Sequence, residues 1–351
     1  MRTFKINGKE INDNSPPYVI AEIGHNHQGR EDLALEMITE ARKSGVDAVK
    51  LQRINAKRLF TQEAYREPYN SENAFAPTYG KHREALTLPD ESFKRIIDYC
   101  NSVGIDFLCT AFEEDSASFL YQAGCNCFKL ASFHLKDWAL IDHIASLGKP
   151  IIMSTGGAYM SDVLETYNYI KTHHYGLDLA LLQCTSEYPV YDQTKINLGV
   201  IRDYRKLFPS SVIGYSHHHS SIKPLVYAPA FGASIVEFHF TLDRAWKGTD
   251  QSFSLEPRSV ANLIRYYKSY TQVKGNDKGL YEGERKPLNK MTRSIYAARD
   301  IKIGQTIGKE DIVYMAPALG LPTKYKDKVI GSISAIDIKQ GEPIRGGNGT
   351  V

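Results

Sequence analysis

The chain has 351 residues, enough for one large domain with a smaller one or for two mid-sized domains. It is 42% hydrophobic and 24% charged, which is typical of a globular protein with a sizeable core. A net charge of +3 is too small to indicate nucleic-acid binding. No apolar run approaches the ~18 residues of a membrane span, and the N-terminus lacks an apolar signal core. We therefore expect a cytoplasmic protein whose partners are small molecules.

Five cysteines occur, and without a signal peptide we expect them to be reduced thiols. Cys125 and Cys127 form a C-x-C pair that could ligate zinc. No second pair lies at zinc spacing, so buried packing is the favoured interpretation. The other three are Cys100, Cys109 and Cys184.

A hairpin around Asn7-Gly8 is predicted for residues 1–13, where it would cap the bottom of a larger unit. Short β-rich runs then alternate with helical patterns, such as the one that stops at Gly45 and the one that stops at Gly104. This alternation predicts a (β/α)₈ barrel, with a doubly wound sheet as the alternative. The predicted strands are 18–24, 47–52, 106–112, 127–132, 150–155, 179–186, 211–216 and 234–241.

Two further segments interrupt this alternation. The stretch 53–90 is rich in Tyr, Pro and Asn and is interpreted as an elaborated loop at the barrel mouth. Residues 281–292 are polar and poor in helical pattern, so they are interpreted as a linker that follows the barrel domain, 1–280. The remaining residues, 293–351, carry the imperfect repeat D-I-K-x-G-x-x-I and predict a small, pseudo-symmetric β-rich domain.

Strand alternation points polar side chains of the last barrel strand into the barrel. Glu237, His239 and Thr241 share one face, while the apolar residues between them would pack on the helices. On the preceding strand the same parity selects His218 from the triplet 217–219. His218 and His239 are therefore expected to meet at the mouth, as ligands for Mn²⁺, Zn²⁺ or Fe²⁺ or as two hydrogen-bonded core histidines. His217 and His219 are expected behind the site or at the surface.

Two lysines, Lys50 and Lys129, lie inside otherwise apolar runs. A buried lysine needs a partner, and an anion or a Schiff base would provide one. Serines also end several predicted strands, and the STGG at 154–157 permits close approach of backbone N–H groups to a phosphate. Together these residues predict a phosphate or carboxylate site at the mouth.

These motifs together resemble the sialic acid synthase family, in order along nearly the whole chain. The barrel motifs are AEIGHNHQG, KLQ, FKLAS, STGG, QCTSEYP, GYSHH and EFHFTLDRAWKGTDQSFSLEP. The segment from RSIYAARDIKIGQTI onward resembles the family's antifreeze-like SAF domain. The resemblance implies a (β/α)₈ barrel followed by a SAF domain, and a domain-swapped homodimer.

The resemblance also implies a reaction. Phosphoenolpyruvate would condense with an N-acetylmannosamine-type aldose, phosphorylated or not, to give a nine-carbon 2-keto sugar acid and phosphate. A divalent metal would sit on His218 and His239, with Mn²⁺ favoured and Mg²⁺ or Co²⁺ as alternatives. Glu22, Tyr188 and Asp250 match positions that contact the sugar or metal-bound water. The positions that match phosphoenolpyruvate-binding residues are Lys50, Thr110, Lys129, Ser132, Ser154, Ser186 and Ser216.

Three positions depart from the family pattern. His134 stands where an acidic residue thought to assist ring opening or proton transfer is usual, so it is the candidate for that catalytic role. Ala316 stands where many bacterial members have an arginine that reaches a partner subunit's sugar, and His217 replaces an acid near the metal. The identity of the sugar therefore stays open, and a non-N-acetylated or diacetamido acceptor remains an alternative.

Three functions of other classes are alternatives. A metal hydrolase of the amidohydrolase type would use His25 and His27, but the ends of strands five and six lack the histidines it needs. A Schiff-base aldolase would use Lys129 without a metal. A non-enzymatic sugar- or ice-binding scaffold would leave the polar strand ends without a purpose.

Overall fold

The computed structural model describes residues 2–275 and 277–346. Contacts within the chain divide it at Lys274/Gly275 into two compact units. Each unit is described separately below. None of the described helices is both long and apolar enough to cross a membrane.

The first unit begins with an antiparallel hairpin of strands β1 (Thr3–Ile6) and β2 (Lys9–Asn12). Asn7 and Gly8 connect them with φ angles of 47° and 79°, the left-handed conformation that a two-residue hairpin turn requires. The apolar side chains of the hairpin pack against the lowest inward-facing layer of the barrel that follows. The predicted hairpin and its capping position are confirmed.

Over the described residues, eight parallel strands close into a barrel in chain order, with β10 returning to pair with β3. The doubly wound alternative is excluded, and the predicted barrel is confirmed. The strands are β3 (Tyr18–Gly24), β4 (Ala48–Arg53), β5 (Asp106–Ala111), β6 (Phe128–Leu130), β7 (Ile151–Ser154), β8 (Leu179–Cys184), β9 (Val212–His217) and β10 (Ile235–His239).

Helices surround the barrel and fill the connections. The stop signals predicted at Gly45 and Gly104 are confirmed, since both residues adopt left-handed φ angles, of 91° and 69°. The helices are α1 (Glu31–Ser44), α2 (Ala56–Leu59), α3 (Gln62–Arg66), α4 (Tyr79–Leu86), α5 (Asp90–Val103), α6 (Glu114–Gln122), α7 (Trp138–Ser146), α8 (Met160–His173), α9 (Gly199–Leu207), α10 (Lys223–Phe231) and α11 (Pro257–Val273). Helices α2, α3 and α4 occupy the segment that was predicted as an elaborated mouth loop.

Two apolar layers follow from strand alternation. One set of side chains, such as Val236 and Phe238, packs outward against the helices. The other set, such as Ile20 and Ile235, fills the lower half of the barrel together with the hairpin. Because the lower interior is closed by these apolar residues, the polar inward-facing residues higher on the strands open only toward the mouth.

The second unit contains helices α12 (Glu282–Met291) and α13 (Lys326–Val329) and an antiparallel pair, β11 (Ser294–Ala297) with β12 (Ile312–Met315). The linker predicted at 281–292 was expected to be poor in helix, and this was wrong. Glu284 accepts a hydrogen bond from the Tyr281 N–H at 2.8 Å, which closes the start of α12. Ten helical residues span about 15 Å, far less than the ~35 Å that ten extended residues would span.

The repeat in this unit folds with an internal pseudo-two-fold relationship. Ile301 and Ile338, at equivalent positions of the repeat, exchange backbone hydrogen bonds at 2.8 and 2.9 Å. The Asp337 carboxylate accepts from the Ile303 N–H at 2.8 Å, and the equivalent Asp300 accepts from the Gln340 N–H at 2.9 Å. The predicted pseudo-symmetric β-rich domain is thereby confirmed.

Candidate active site

A cavity of about 540 Å³ opens at the carboxyl ends of the barrel strands. This is the end where barrel enzymes place their chemistry. The predicted site residues that line it are Glu22, Lys50, Thr110, Lys129, Ser132, His134, Ser154, Tyr188, Ser216, His218, His239 and Asp250. Ser186 is not among the lining residues; it lies beside the cavity, next to Ser132 and Gly156.

A buried cluster of two lysines and two glutamates forms the floor of the cavity. Lys50 Nζ lies 2.7 Å from Glu22 Oε2 and 3.9 Å from Glu237 Oε2. Lys129 Nζ lies 3.8 Å from Glu237 Oε1 and donates to Ser154 Oγ at 2.7 Å. The barrel register produces these contacts, because Glu22 is directly opposite Lys50. Because the opposite charges balance, neither lysine is left as an unpaired buried charge within the closed barrel.

Burial and charge act in opposite directions on these groups. Burial would lower the pKa of Lys50, but the carboxylates of Glu22 and Glu237 outweigh it and raise that pKa. For Lys129, burial dominates and lowers the pKa. Burial would raise the pKa of Glu237, but Lys129 and Lys50 bring it down to about 2. Glu237 is therefore an anion that bridges the two lysines, and it was not among the predicted site residues.

Hydroxyls and one backbone amide continue the polar wall beside the lysines. Ser216 Oγ donates to Glu237 Oε1 at 3.0 Å. The Gly156 N–H donates to Ser132 Oγ at 2.9 Å. A Cβ at Gly156 would lie 2.2 Å from Ser186 Oγ, so only glycine permits this close approach. The predicted serines from successive strands are thus brought together, Ser186 included.

The two histidines selected by strand parity face each other across the mouth. The ring centroids of His218 and His239 are 5.2 Å apart. His218 donates its Nδ1–H to the Thr185 carbonyl at 2.8 Å, which leaves its Nε2 with a free lone pair. His239 Nδ1 lies 3.4 Å from Asp250 Oδ2. The predicted meeting of these imidazoles is confirmed.

This pair fits a divalent cation as two nitrogen ligands. The carbonyl that holds His218 is the kind of partner that orients metal-bound histidines. Among the described residues, no group of three or more His, Cys, Asp or Glu side chains could hold a metal ion. Water or substrate oxygens would therefore have to supply the remaining ligands, as they do at open catalytic sites.

The neighbouring histidines of the triplet are buried, so the expectation that they could lie at the surface was wrong. His217 accepts from the Tyr215 hydroxyl at 3.0 Å and donates to the Ser221 carbonyl at 3.0 Å. With both ring nitrogens engaged, His217 has no lone pair for a ligand. His219 accepts the Ser221 N–H at 2.9 Å. Both residues instead hold the loop that follows β9.

Comparison with known proteins agrees with this geometry. The NeuB family profile matches residues 37–279, and the SAF domain profile matches residues 292–348. The chain belongs to the NeuB family. The N-acetylneuraminate-9-phosphate synthase of Homo sapiens is 32% identical, with 96% of this chain and 94% of that protein covered. The N,N'-diacetyllegionaminic acid synthase of Legionella pneumophila is also 32% identical, with 96% of each chain covered.

Solved structures of NeuB-like proteins share the fold. A putative spore coat polysaccharide biosynthesis protein E from Chromobacterium violaceum superposes with a TM-score of 0.82 at 25% identity, covering 94% of this chain and 98% of that one. An N-acetylneuraminic acid synthetase from Leptospira borgpetersenii, solved in complex with citrate, gives a TM-score of 0.73 at 27% identity, covering 82% and 95%. Membership of the NeuB family leaves no place for the amidohydrolase and scaffold interpretations.

Other predicted residues of this NeuB-family site lie around the histidine pair. The Tyr188 ring is 4.3 Å from that of His218 and 6.1 Å from that of His239. His134 Nδ1 lies 3.4 Å from Asp137 Oδ2, while its Nε2 is buried without a hydrogen-bond partner. Burial lowers the pKa of His134, and Asp137 partly opposes it. His134 thus lines the cavity as a neutral imidazole, and its Nε2 has no hydrogen-bond partner.

Arg83 and His25 also line the NeuB-family cavity, and sequence reasoning placed neither of them in the predicted site. Arg83 lies on α4, inside the long insertion, where no local pattern connected it with the strand ends. His25 directly follows β3 and was considered only for the amidohydrolase interpretation. Strand counting could have found His25, because it lies just beyond a strand end. Arg83 needed the tertiary position of its helix.

Proposed function

We propose that this protein condenses phosphoenolpyruvate with an N-acetylmannosamine-type aldose, giving a nine-carbon 2-keto sugar acid and inorganic phosphate. The observation that carries the proposal is the convergence of Lys129, its hydroxyl partners and the His218–His239 pair on one cavity. The side with Lys129 and the hydroxyls suits a small polyanion, and the side with the two histidines suits an electrophilic carbonyl. Relatives named as synthases of nine-carbon sugar acids support the same reaction class.

The lysine and serine wall is proposed to bind phosphoenolpyruvate. Lys129 and Ser154 already share a hydrogen bond of 2.7 Å, so both are held in place before a ligand arrives. Lys50 donates to Thr110 Oγ1 at 3.0 Å and is positioned in the same way. Charge-assisted hydrogen bonds from these ammonium groups would hold the carboxylate and phosphate and present the enol carbon toward the mouth. Glu237 faces both lysines and offsets their charge while no substrate anion is bound.

The histidine side is proposed to receive the open-chain aldehyde. The chemistry that a divalent cation on His218 and His239 would supply is Lewis-acid polarisation of the aldehyde oxygen. Tyr188 packs over His218 and borders the space in which the sugar chain would lie. Asp250, beside His239, is placed to accept hydrogen bonds from sugar hydroxyls or from water.

His134 is proposed to move a proton in place of the acid usual at this position. Its Nε2 is buried and unpartnered, and a neutral imidazole can accept a proton there. Asp137 lies 3.4 Å from the other ring nitrogen and would stabilise the imidazolium that forms. The proton in question is that of the hemiacetal hydroxyl when the sugar ring opens.

A Schiff-base aldolase on Lys129 is the second candidate, because burial lowers the pKa of that amine. Reduction with borohydride in the presence of pyruvate would trap such an adduct on the protein. Mass spectrometry of intact wild-type protein should show no added mass under these conditions. A stoichiometric pyruvyl adduct lost in Lys129→Met would favour the aldolase.

The test of the proposed reaction is phosphate release from phosphoenolpyruvate with a panel of acceptors. The panel contains N-acetylmannosamine, its 6-phosphate, mannose and a diacetamido hexose. We expect release only with an aldose present and in equal amount to the 2-keto acid formed. If no acceptor supports release, the proposed function is wrong; if only the diacetamido sugar does, the acceptor is a different one.

A further inference from the structure

Arg83 differs from the other cations that line the cavity. Lys50 and Lys129 both lie within 4 Å of glutamate carboxylates. The Arg83 side chain makes no ion pair and no hydrogen bond with any described residue, and its Nε is buried without a partner. Leaving a partly buried guanidinium unpaired is costly. A ligand that brings a negative charge would remove that cost.

Arg83 shares its part of the cavity lining with Tyr79 and His25. Arg83 and Tyr79 are four residues apart on α4, so they share one helix face, and both line the cavity. His25 lines the same cavity; it is 8% exposed, and its Nε2 has no hydrogen-bond partner. Burial, followed by the charge of Arg83, holds the pKa of His25 well below its usual range. His25 is therefore a neutral ring beside the guanidinium.

The carboxylate that influences Arg83 is Asp250, and it is not free to neutralise the guanidinium. Burial lowers the pKa of Arg83, and Tyr79 and Asp250 only partly oppose that lowering; Asp250 does not come within ion-pair distance. The Asp250 Oδ2 atom lies instead 3.4 Å from His239 Nδ1. An unpaired guanidinium and an unpartnered imidazole nitrogen thus remain on the α4 side of the cavity, apart from the lysine and serine wall.

We propose that Arg83 and His25 form a subsite for a phosphate monoester carried by the acceptor sugar. This assignment rests on the proposed function and specifies its substrate class as an aldose phosphate. A guanidinium matches phosphate oxygens with two parallel N–H donors, and a neutral imidazole adds a third through Nε2–H. Sugar hydroxyls alone would leave the guanidinium charge unbalanced. The anionic groups of phosphoenolpyruvate are already served by Lys50, Lys129 and the serines.

The experiment compares N-acetylmannosamine with its 6-phosphate in wild type and in Arg83→Met. We expect wild type to have the higher kcat/KM for the phosphorylated sugar. In Arg83→Met that preference should fall by a factor on the order of 10 to 100, the worth of a charge-assisted hydrogen-bonded pair. Arg83→Lys should restore part of it, and His25→Phe should reduce it by a smaller factor.

Lys81→Met is the matched control, because Lys81 lies on the same helix with an exposed side chain that does not line the cavity. It should keep the wild-type preference. The assignment is overturned if Arg83→Met keeps the preference as well, or if its main effect is on the KM for phosphoenolpyruvate. A wild-type preference for the unphosphorylated sugar would overturn it too.

Calorimetric binding of N-acetylmannosamine 6-phosphate separates this assignment from the reaction. Wild type should bind the sugar phosphate more tightly than Arg83→Met, with or without turnover. Tight, Arg83-dependent binding without any condensation would contradict the proposed function and support the phosphate subsite. Binding that is equal in both proteins would contradict the subsite even if condensation occurs.

Discussion

Glu237 Oε1 lies 3.8 Å from Lys129 Nζ inside the barrel, and the same carboxylate reaches toward Lys50. The Glu237 carboxylate therefore holds the ammonium groups of both lysines in position at the floor of the cavity. Substrate anions that enter would meet ammonium groups already oriented by their partners, which lowers the ordering cost of binding.

Lys129→Met should raise the KM for phosphoenolpyruvate more than the KM for the sugar. The variant keeps the length of the side chain but removes the cation that would face the substrate anion. Initial rates with each substrate varied in turn measure the two constants. A change confined to the sugar constant would place Lys129 in a different part of the site.

His218→Ala and His239→Ala should each abolish metal binding and nearly all activity, whereas His219→Ala should retain activity. His218 Nδ1–H donates to the Thr185 carbonyl, which leaves Nε2 free, while His219 accepts a hydrogen bond from the Ser221 N–H. Metal content by elemental analysis and turnover would be measured on the folded variants. Equal loss of activity in all three variants would contradict the selection of His218 by strand parity.

Chelation should also abolish activity. After treatment with EDTA, activity should return with Mn²⁺, Co²⁺ or Mg²⁺, because two histidines leave coordination positions open for water and substrate. Phosphate release before and after addition of each ion is the measurement. Full activity of a demonstrably metal-free preparation would exclude the Lewis-acid role.

His27 should make the fold sensitive to mild acid. Burial lowers its pKa from 6.5 to about 4, so the unfolded chain takes up a proton before the folded one does. This contribution to stability is complete above pH 6.5 and is lost as the pH falls toward 4, by about 3 kcal/mol in all.

Urea unfolding of wild type and His27→Gln at pH 7 and pH 5 measures this contribution. The free energy of unfolding should fall more between the two pH values in wild type than in the variant, whose side chain cannot gain a proton. Parallel falls in the two proteins would assign the acid sensitivity to other groups.

Truncation after Gly279 should leave a folded barrel with poor activity. If the second unit also holds a homodimer together, the truncation should shift the protein toward monomer. The barrel unit ends at Lys274, so its core stays complete. The small second unit has a limited core, and we propose that it completes a partner subunit's site in a homodimer. Circular dichroism tests whether the barrel is folded, light scattering measures the oligomeric state, and turnover measures the activity.

Full activity in the truncated protein would contradict this role. Ala316→Arg is a companion variant, because the family resemblance implies an arginine at this position in many bacterial members. It should improve the use of N-acetylated sugars if residue 316 faces the substrate. An unchanged sugar preference would mean that the domain docks differently or that the sugar has no N-acetyl group at that place.

The alternation of β-rich runs with helical patterns was enough to predict the barrel. The alternation of side chains along each strand was enough to predict the inward direction of Glu237 and His239 and the choice of His218 from its triplet. These inferences succeed because a strand has a period of two and each barrel face has one environment, apolar outside and polar above the closed interior. The pseudo-symmetry of the second unit could likewise be predicted from its sequence repeat, because equivalent residues of the repeat make equivalent hydrogen bonds.

Only the tertiary structure decided the features that depend on contacts between segments far apart in the chain. The bridging role of Glu237 follows from the register of neighbouring strands, and the burial of His217 and His219 follows from the loop that Ser221 closes. Helix α12 forms where composition indicated a linker. Arg83 reaches the cavity because the long insertion after β4 folds into helices at the mouth. Local pattern carries no information on such contacts, because they join residues far apart in the chain whose spacing is set only when the barrel closes.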